Sequence, residues 1–284
     1  MTPAAKVARL SMMAALCSVQ PIACAIAAST MGANTPAVAQ QWRDIANLPD
    51  WSGTWDPDRA VERSELNNNP IPWNTRAQAQ IDLQKKQAAA GNPKLILWGC
   101  FPHGMPSWMM INHNLMEILF TPGRVTMLGE VDGNRLRRIY TDGRSHPEDP
   151  DPTFHGHSIG KWEGDTLVVD TVGIAPQAPI APHETIGLPN NGDMHIVERI
   201  RLRDSSTLEN FMVITAPRVL TKPWTTTRVY QRLRGVENEI VEGQCVRGDY
   251  EEGVDENGNA IFAPFTAPEQ DAAAPQSDTK GGQR

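Results

Sequence analysis

His157-Ser158-Ile159-Gly160-Lys161-Trp162-Glu163-Gly164-Asp165-Thr166-Leu167-Val168-Val169-Asp170-Thr171-Val172 decides the fold class. β-branched and apolar residues dominate the second half, and they alternate with polar ones at the period of a half-buried strand. Glu163-Gly164-Asp165 is a turn signal between the two halves, so the stretch reads as an antiparallel hairpin. Neither half shows the 3.6-residue apolar spacing of a surface helix.

The same pattern extends in both directions. Strands are expected at 94–98, 115–120, 124–131, 135–141, 157–163, 166–173, 194–203, 207–215, 226–234 and 239–246, with a further hairpin signal at Asp132-Gly133-Asn134. Many short strands with tight turns indicate a mainly β chain, an antiparallel β-barrel of lipocalin-like form. The absence of a strand–helix rhythm excludes Rossmann and TIM architectures. One surface helix is expected between Asn74, which can cap it, and Gly91, which can stop it. Residues 142–156 and 174–193 are rich in Pro and read as loops, because Pro cannot donate to a sheet ladder.

The chain has 284 residues and a net charge of -7. Such an acidic balance argues against a nucleic-acid partner, since nothing is in excess to neutralise phosphates. Residues 1–39 hold Lys6 and Arg9 and no acid. They continue through an apolar stretch from Leu10 to Ala28 and end on Ala37-Val38-Ala39, the pattern of a signal peptide and its cleavage site, with Ala25-Ile26-Ala27 as a competing site. The apolar run is short and broken by Pro21, which disfavours a membrane span, so no integral membrane segment is expected after cleavage. Removing 39 of the 284 residues leaves 245, and losing two bases and no acid takes the charge from -7 to -9. Cys100 and Cys245 then remain, in an oxidising periplasmic or secreted setting where a disulfide is expected. The alternative is two separate buried thiols. The expected organisation is a signal peptide at 1–39 and a Trp-rich irregular arm with the helix at 40–93. The barrel follows at 94–265 and a disordered tail at 266–284.

Four groups of residues could carry chemistry. Gly156-His157-Ser158-Ile159-Gly160 matches the nucleophile elbow of hydrolases, but that elbow needs a strand before the serine and a helix after it. A Pro-rich segment precedes this one and a hairpin follows it, so Ser158 is not taken as a nucleophile. His155 and His157 would leave one face of an extended strand and could begin a metal site, with His146, Asp149, Asp151, His183, Glu184 or His195 as a further ligand. Arg138, Tyr140 and Asp142 share a strand face, and Glu117 sits among apolar neighbours where a barrel interior would raise its pKa. Trp108 and the methionines at 105–110 could line an apolar ligand cavity or simply pack the core.

A resemblance adds to these readings. Arg138-Ile139-Tyr140-Thr141-Asp142-Gly143-Arg144-Ser145-His146-Pro147 and the stretch from Gly156 to Thr171 are similar to an uncharacterised family of exported bacterial β proteins. Further matching pieces are Trp51-Ser52-Gly53-Thr54-Trp55, Gly104-Met105-Pro106, His195-Ile196-Val197-Glu198-Arg199 and Lys222-Pro223-Trp224. The resemblance implies an exported, barrel-like β protein. It brings no reaction and no catalytic residue.

The expected function is cofactor-independent acid–base chemistry, as in a lyase, isomerase or hydrolase, on a small, partly apolar or aromatic molecule. His157 is expected as the acid or base, with His146, Asp142 and Tyr140 beside it. Glu117, Arg138, Trp108 and His195 are the expected substrate-binding residues. A non-catalytic periplasmic carrier of an apolar ligand is the alternative, and a metal site at His155 and His157 is the second alternative. No cofactor is expected, and no metal is favoured.

Overall fold

The computed structural model describes residues 41–94, 96–97, 102–111, 113–235 and 238–243, with strand backbone at 251–254 and 260–262. The expected signal peptide, the tail and the Cys100–Cys245 bridge lie outside the described residues. The chain is mainly β. Nine strands close a barrel: β1 (Thr54–Pro57), β2 (Met116–Thr121), β3 (Arg124–Gly129), β4 (Leu136–Tyr140), β5 (His157–Glu163), β6 (Thr166–Val172), β9 (His195–Asp204), β10 (Thr207–Thr215) and β11 (Trp224–Leu233). Around the wall they run β1-β11-β10-β9-β6-β5-β4-β3-β2. Two hairpins stand apart, β7 (Pro179–His183) with β8 (Ile186–Pro189) and β12 (Glu251–Val254) with β13 (Ala260–Phe262).

The founding hairpin forms as its sequence dictates. Leu167, Val169 and Thr171 are fully buried on one face of β6, and Gly164 takes the positive φ of +64° that the turn requires. Eight of the ten expected strands are present with small shifts of their ends. In the other two segments, the described residues at 94, 96–97 and 239–243 are not strand. The pairing is antiparallel except between β4 and β5, where Ile139 pairs with Ser158 in parallel. The loop at 141–156 makes that possible, because it carries the chain back along the barrel before β5 begins.

The arm does more than cover the barrel. β1 within it pairs with β11 over four residues and with β2 over two, and so closes the wall. A second helix, α1 (Arg59–Asn68), then follows the edge of β11 where β1 has ended. Its Glu65 accepts from Thr227 N–H, and the Asn69 amide donates to Thr225 C=O. Side chains thus satisfy a strand edge that would otherwise stand open. Asp58 caps α1 by accepting from the N–H groups of Ala60 and Val61. The expected helix is α2 (Thr75–Ala89), capped by Asn74, with Ala77, Ile81 and Gln84 buried. Gln84 both donates to and accepts from the backbone of Gly187, which ties α2 to β8. Of the segment 174–193, read from its prolines as loop, β7 and β8 form a small hairpin. A short helix, α3 (Val131–Asn134), makes the β3–β4 connection.

The barrel is filled by its own side chains. Trp51 packs against Phe120 and Trp162 at one end, with ring centroids 5.5 and 5.2 Å apart. At the other end Met105, Trp108, Met109 and Met110 are buried, and Tyr230 O–H donates to Met109 C=O at 2.6 Å. Between them lies a buried ion pair, Arg137 with Glu198. Arg137 also donates to Ser158 Oγ and Thr171 Oγ1, and the Asn210 amide donates to Glu198 at 2.9 Å. A second pair, Arg228 with Glu62 of α1, is 3.7 Å apart. There burial outweighs attraction and pushes the Glu62 carboxyl up to about 7. Among the described residues no helix is long and apolar enough to cross a membrane.

Arg137→Met strands the buried Glu198 carboxylate and should cost about 3–5 kcal/mol in urea denaturation. Arg137→Met with Glu198→Leu removes both charges and should recover at least about half of that loss. A single variant within about 1 kcal/mol of the parent would show that the pair does not hold the barrel.

Candidate functional site

Strand alternation places two sets of residues back to back. On β5 and β6, Ser158 and Thr171 face the interior, so His157 and Asp170 face outward. On β9, Glu198 is buried and His195 faces outward. On β4, Arg137 is buried, and Arg138 and Tyr140 face outward. Four strands therefore carry polar side chains onto one patch of the outer wall. The loop at 141–156 adds His146 to it.

These residues form one hydrogen-bonded chain. His157 Nδ1 lies 2.8 Å from His146 Nδ1, and His146 Nε2 lies 2.9 Å from Asp170 Oδ1. His195 Nε2 meets the other oxygen, Asp170 Oδ2, at 3.0 Å. A carboxylate only accepts, so both histidines donate Nε2–H to it. With its ring neutral, His146 then presents a lone pair at Nδ1, which must accept Nδ1–H from His157. That leaves Nε2 of His157 as a lone pair, the arrangement of a general base backed by a carboxylate.

The surroundings favour that state. Partial burial, the His146 ring and Arg144 hold the His157 pKa below its ordinary value, so the ring stays neutral near pH 7. Tyr140 stacks on His157 with centroids 5.4 Å apart. Arg144 lies 4.0 Å above the Tyr140 ring and is itself gripped by Asp142 through contacts of 2.6 to 3.0 Å. His157 opens onto a groove of about 400 Å³, lined also by Arg138, Tyr140, Leu136, Phe154 and His155. A larger groove, about 590 Å³, runs beside Arg76, Asn191 and Arg218 at the start of α2. Its described lining residues include no acid and no histidine.

The expected site residues divide accordingly. His157, His146 and Tyr140 come together, and His195 joins them through Asp170. Arg138 lines the same groove. Asp142 does not reach the histidines. It holds Arg144 over Tyr140, so its place is that of a positioning residue. Glu117 faces outward on β2, away from this patch, beside Thr54 and Leu128. The carboxylate that enters the barrel is Glu198 instead. Trp108 is 1% exposed and meets His155 edge-on at 5.4 Å. His155 and His157 do not share a face, because β5 begins only at His157 and His155 is tucked against Trp108. Among the described residues no three His, Cys, Asp or Glu side chains are grouped to hold a metal ion. Ser158 is buried and bonded to Thr171 and Arg137, which is no place for a nucleophile.

Asp170 is the residue that the sequence reading missed. It is the only charged side chain in β6, a strand with no other polar residues but threonine, and its parity matches that of His157 across the hairpin. Nothing in the sequence indicates that His146, in a loop, would reach it.

No family model matches this chain, and no curated protein does. Among solved structures, a REP1-NXSQ fatty acid transporter is 10% identical, with a TM-score of 0.31, covering 66% of this chain and 98% of that one. A point mutant of the same transporter is 9% identical, with a TM-score of 0.30, covering 65% and 98%.

Imidazole ¹⁵N spectra at about pH 7.5 should show the Nδ1–H tautomer for His157 and the Nε2–H tautomer for His146 and His195. The reverse assignment for His157 would break the chain at its first link. A second outcome concerns His155, whose pKa burial and the charges of Arg137 and Arg135 press down to about 3. The unfolded chain takes up a proton near pH 6.5 that the folded chain refuses, so acidification destabilises the fold through that window. His155→Phe should therefore lose less stability than the parent between about pH 7 and pH 4, by up to about 3 kcal/mol. Equal losses would show that His155 does not resist protonation.

Proposed function

We propose that this chain is an exported, cofactor-independent enzyme that performs acid–base chemistry on a small, partly apolar molecule in the groove of the barrel wall. One observation carries the reading: the Asp170–His146–His157 chain, in which each link is at hydrogen-bond distance and the last ring faces a groove. Export rests on the N-terminal segment and on the exported family that the sequence resembles.

The chemistry follows from the geometry. Nε2 of His157 takes a proton from the substrate. The charge this creates spreads through Nδ1–H to His146, which sheds it toward the Asp170 carboxylate. His195 holds the second oxygen of Asp170 and so fixes the plane of that carboxylate. Return of the proton from His157 to a different carbon completes an isomerisation, and its delivery to a departing group as the bond from carbon to that group breaks completes an elimination. Tyr140 sets the tilt of the His157 ring, and Arg144 with Asp142 sets the tilt of Tyr140.

A second reading is an apolar-ligand carrier. Leu136 is 40% exposed in the groove and would give such a ligand a wall. The methionines and tryptophans that first suggest a carrier are occupied in the core.

Enolisable carbonyl compounds in D₂O, followed by ¹H NMR, separate the two readings. The parent chain should catalyse carbon–deuterium exchange on at least one of them, and His157→Gln should slow it by about 10²-fold or more. Asp170→Asn should slow it by about tenfold, through the wrong tautomer of His146. A parent chain that exchanges no member of the panel, or a His157→Gln variant at full rate, overturns the assignment.

A further inference from the structure

The groove in front of His157 has an electrostatic character of its own. Arg135 and Arg138 line it, and among the described residues no acidic one does. Arg144 stands next to it over Tyr140. Asp142, the carboxylate nearest in sequence, is already committed to Arg144. This concentration of cations occurs in a chain whose net charge is -7, so it is not the background of a basic surface.

The mouth, with Arg135 and Arg138, attracts negative charge, and the floor is His155, edge-on to Trp108 of the core. The walls between them, Leu136, Phe154 and Pro102, are apolar.

We propose that the groove takes a small organic carboxylate with an apolar or aromatic body. The acid group sits at Arg138 and Arg135, and the body lies along Leu136 and Phe154 toward His155. This rests on the groove being the working site, and it adds the substrate class that the proton relay alone does not give. A carboxylate beside the reacting carbon also explains why the base faces a cationic wall. Arg138 and Arg135 stabilise the negative charge that builds on the substrate as His157 removes its proton.

Benzoate, benzamide and benzylamine share one ring and differ in charge, so they test the class directly. Isothermal titration of the whole chain should give benzoate a Kd at least about tenfold below that of benzamide, with benzylamine weakest. Benzoate should shift the His155 and His157 imidazole resonances, which locates it in this groove. Arg138→Gln, at an exposed position where folding is not at stake, should remove the preference for benzoate over benzamide. Equal affinities for benzoate and benzamide, a preference that survives Arg138→Gln, or no saturable benzoate binding up to about 10 mM overturns the proposal. Binding is read without turnover, so the two readings fail separately. Benzoate bound in the groove with no deuterium exchange leaves the carboxylate site and removes the enzyme. Exchange of neutral ketones with no charge preference does the reverse.

Discussion

One ion pair sets the frame on which the outer site is hung. Arg137 of β4 reaches Ser158 of β5, Thr171 of β6 and Glu198 of β9, and Asn210 of β10 completes the shell of Glu198. In barrel order these are five adjacent strands. Burying two charges is costly unless each is paired and hydrogen-bonded, so the network exists only when all five strands are in register. A slip of one residue on any of them would carry a polar group out of the core and an apolar group into solvent.

That register also fixes the outer site. Arg138 follows Arg137, His157 precedes Ser158, and Asp170 precedes Thr171. Each of these three residues is the sequence neighbour of a network residue, and strand alternation points the two in opposite directions. The wall is one residue thick, with a sealed ion pair on its inner face and the hydrogen-bonded chain of Asp170, His146 and His157 on its outer face. Precision in that chain therefore needs no special loop chemistry on the strands. It follows from the packing behind it. Within the chain of Asp170, His146 and His157 only His146 arrives by loop, and its two ring nitrogens are both engaged, which fixes the ring in position.

Much of the fold was legible because alternation and turns are local signals. The β5–β6 hairpin, the strand pairs β2–β3 and β9–β10, and the capped helix α2 all lie where pattern puts them. The parts that were not legible depend on long-range contact. β1 is four residues among prolines and tryptophans, and it becomes a strand because β11 offers an edge. The parallel pairing of β4 with β5 depends on where a loop takes the chain. Glu117 and Glu198 both sit among apolar residues in the sequence, and only the closed barrel decides that one faces out and the other in. At the site, the histidines could be named from their neighbours, whereas Asp170 needed the register to be seen as their partner.

The placement of the site on the wall follows from what fills the barrel. Trp51, Phe120 and Trp162 close one end, Trp108 and the methionines around it close the other, and the Arg137–Glu198 pair lies between them. A substrate inside would have to displace a paired charge or a buried tryptophan. Outside, the loop at 141–156 stands over β4 and β5 and makes a groove with no such cost. His155 marks the boundary between the two regions, with one flank lining the groove and its edge contact on Trp108 in the core. The groove therefore borrows rigidity from the core without giving up access to solvent.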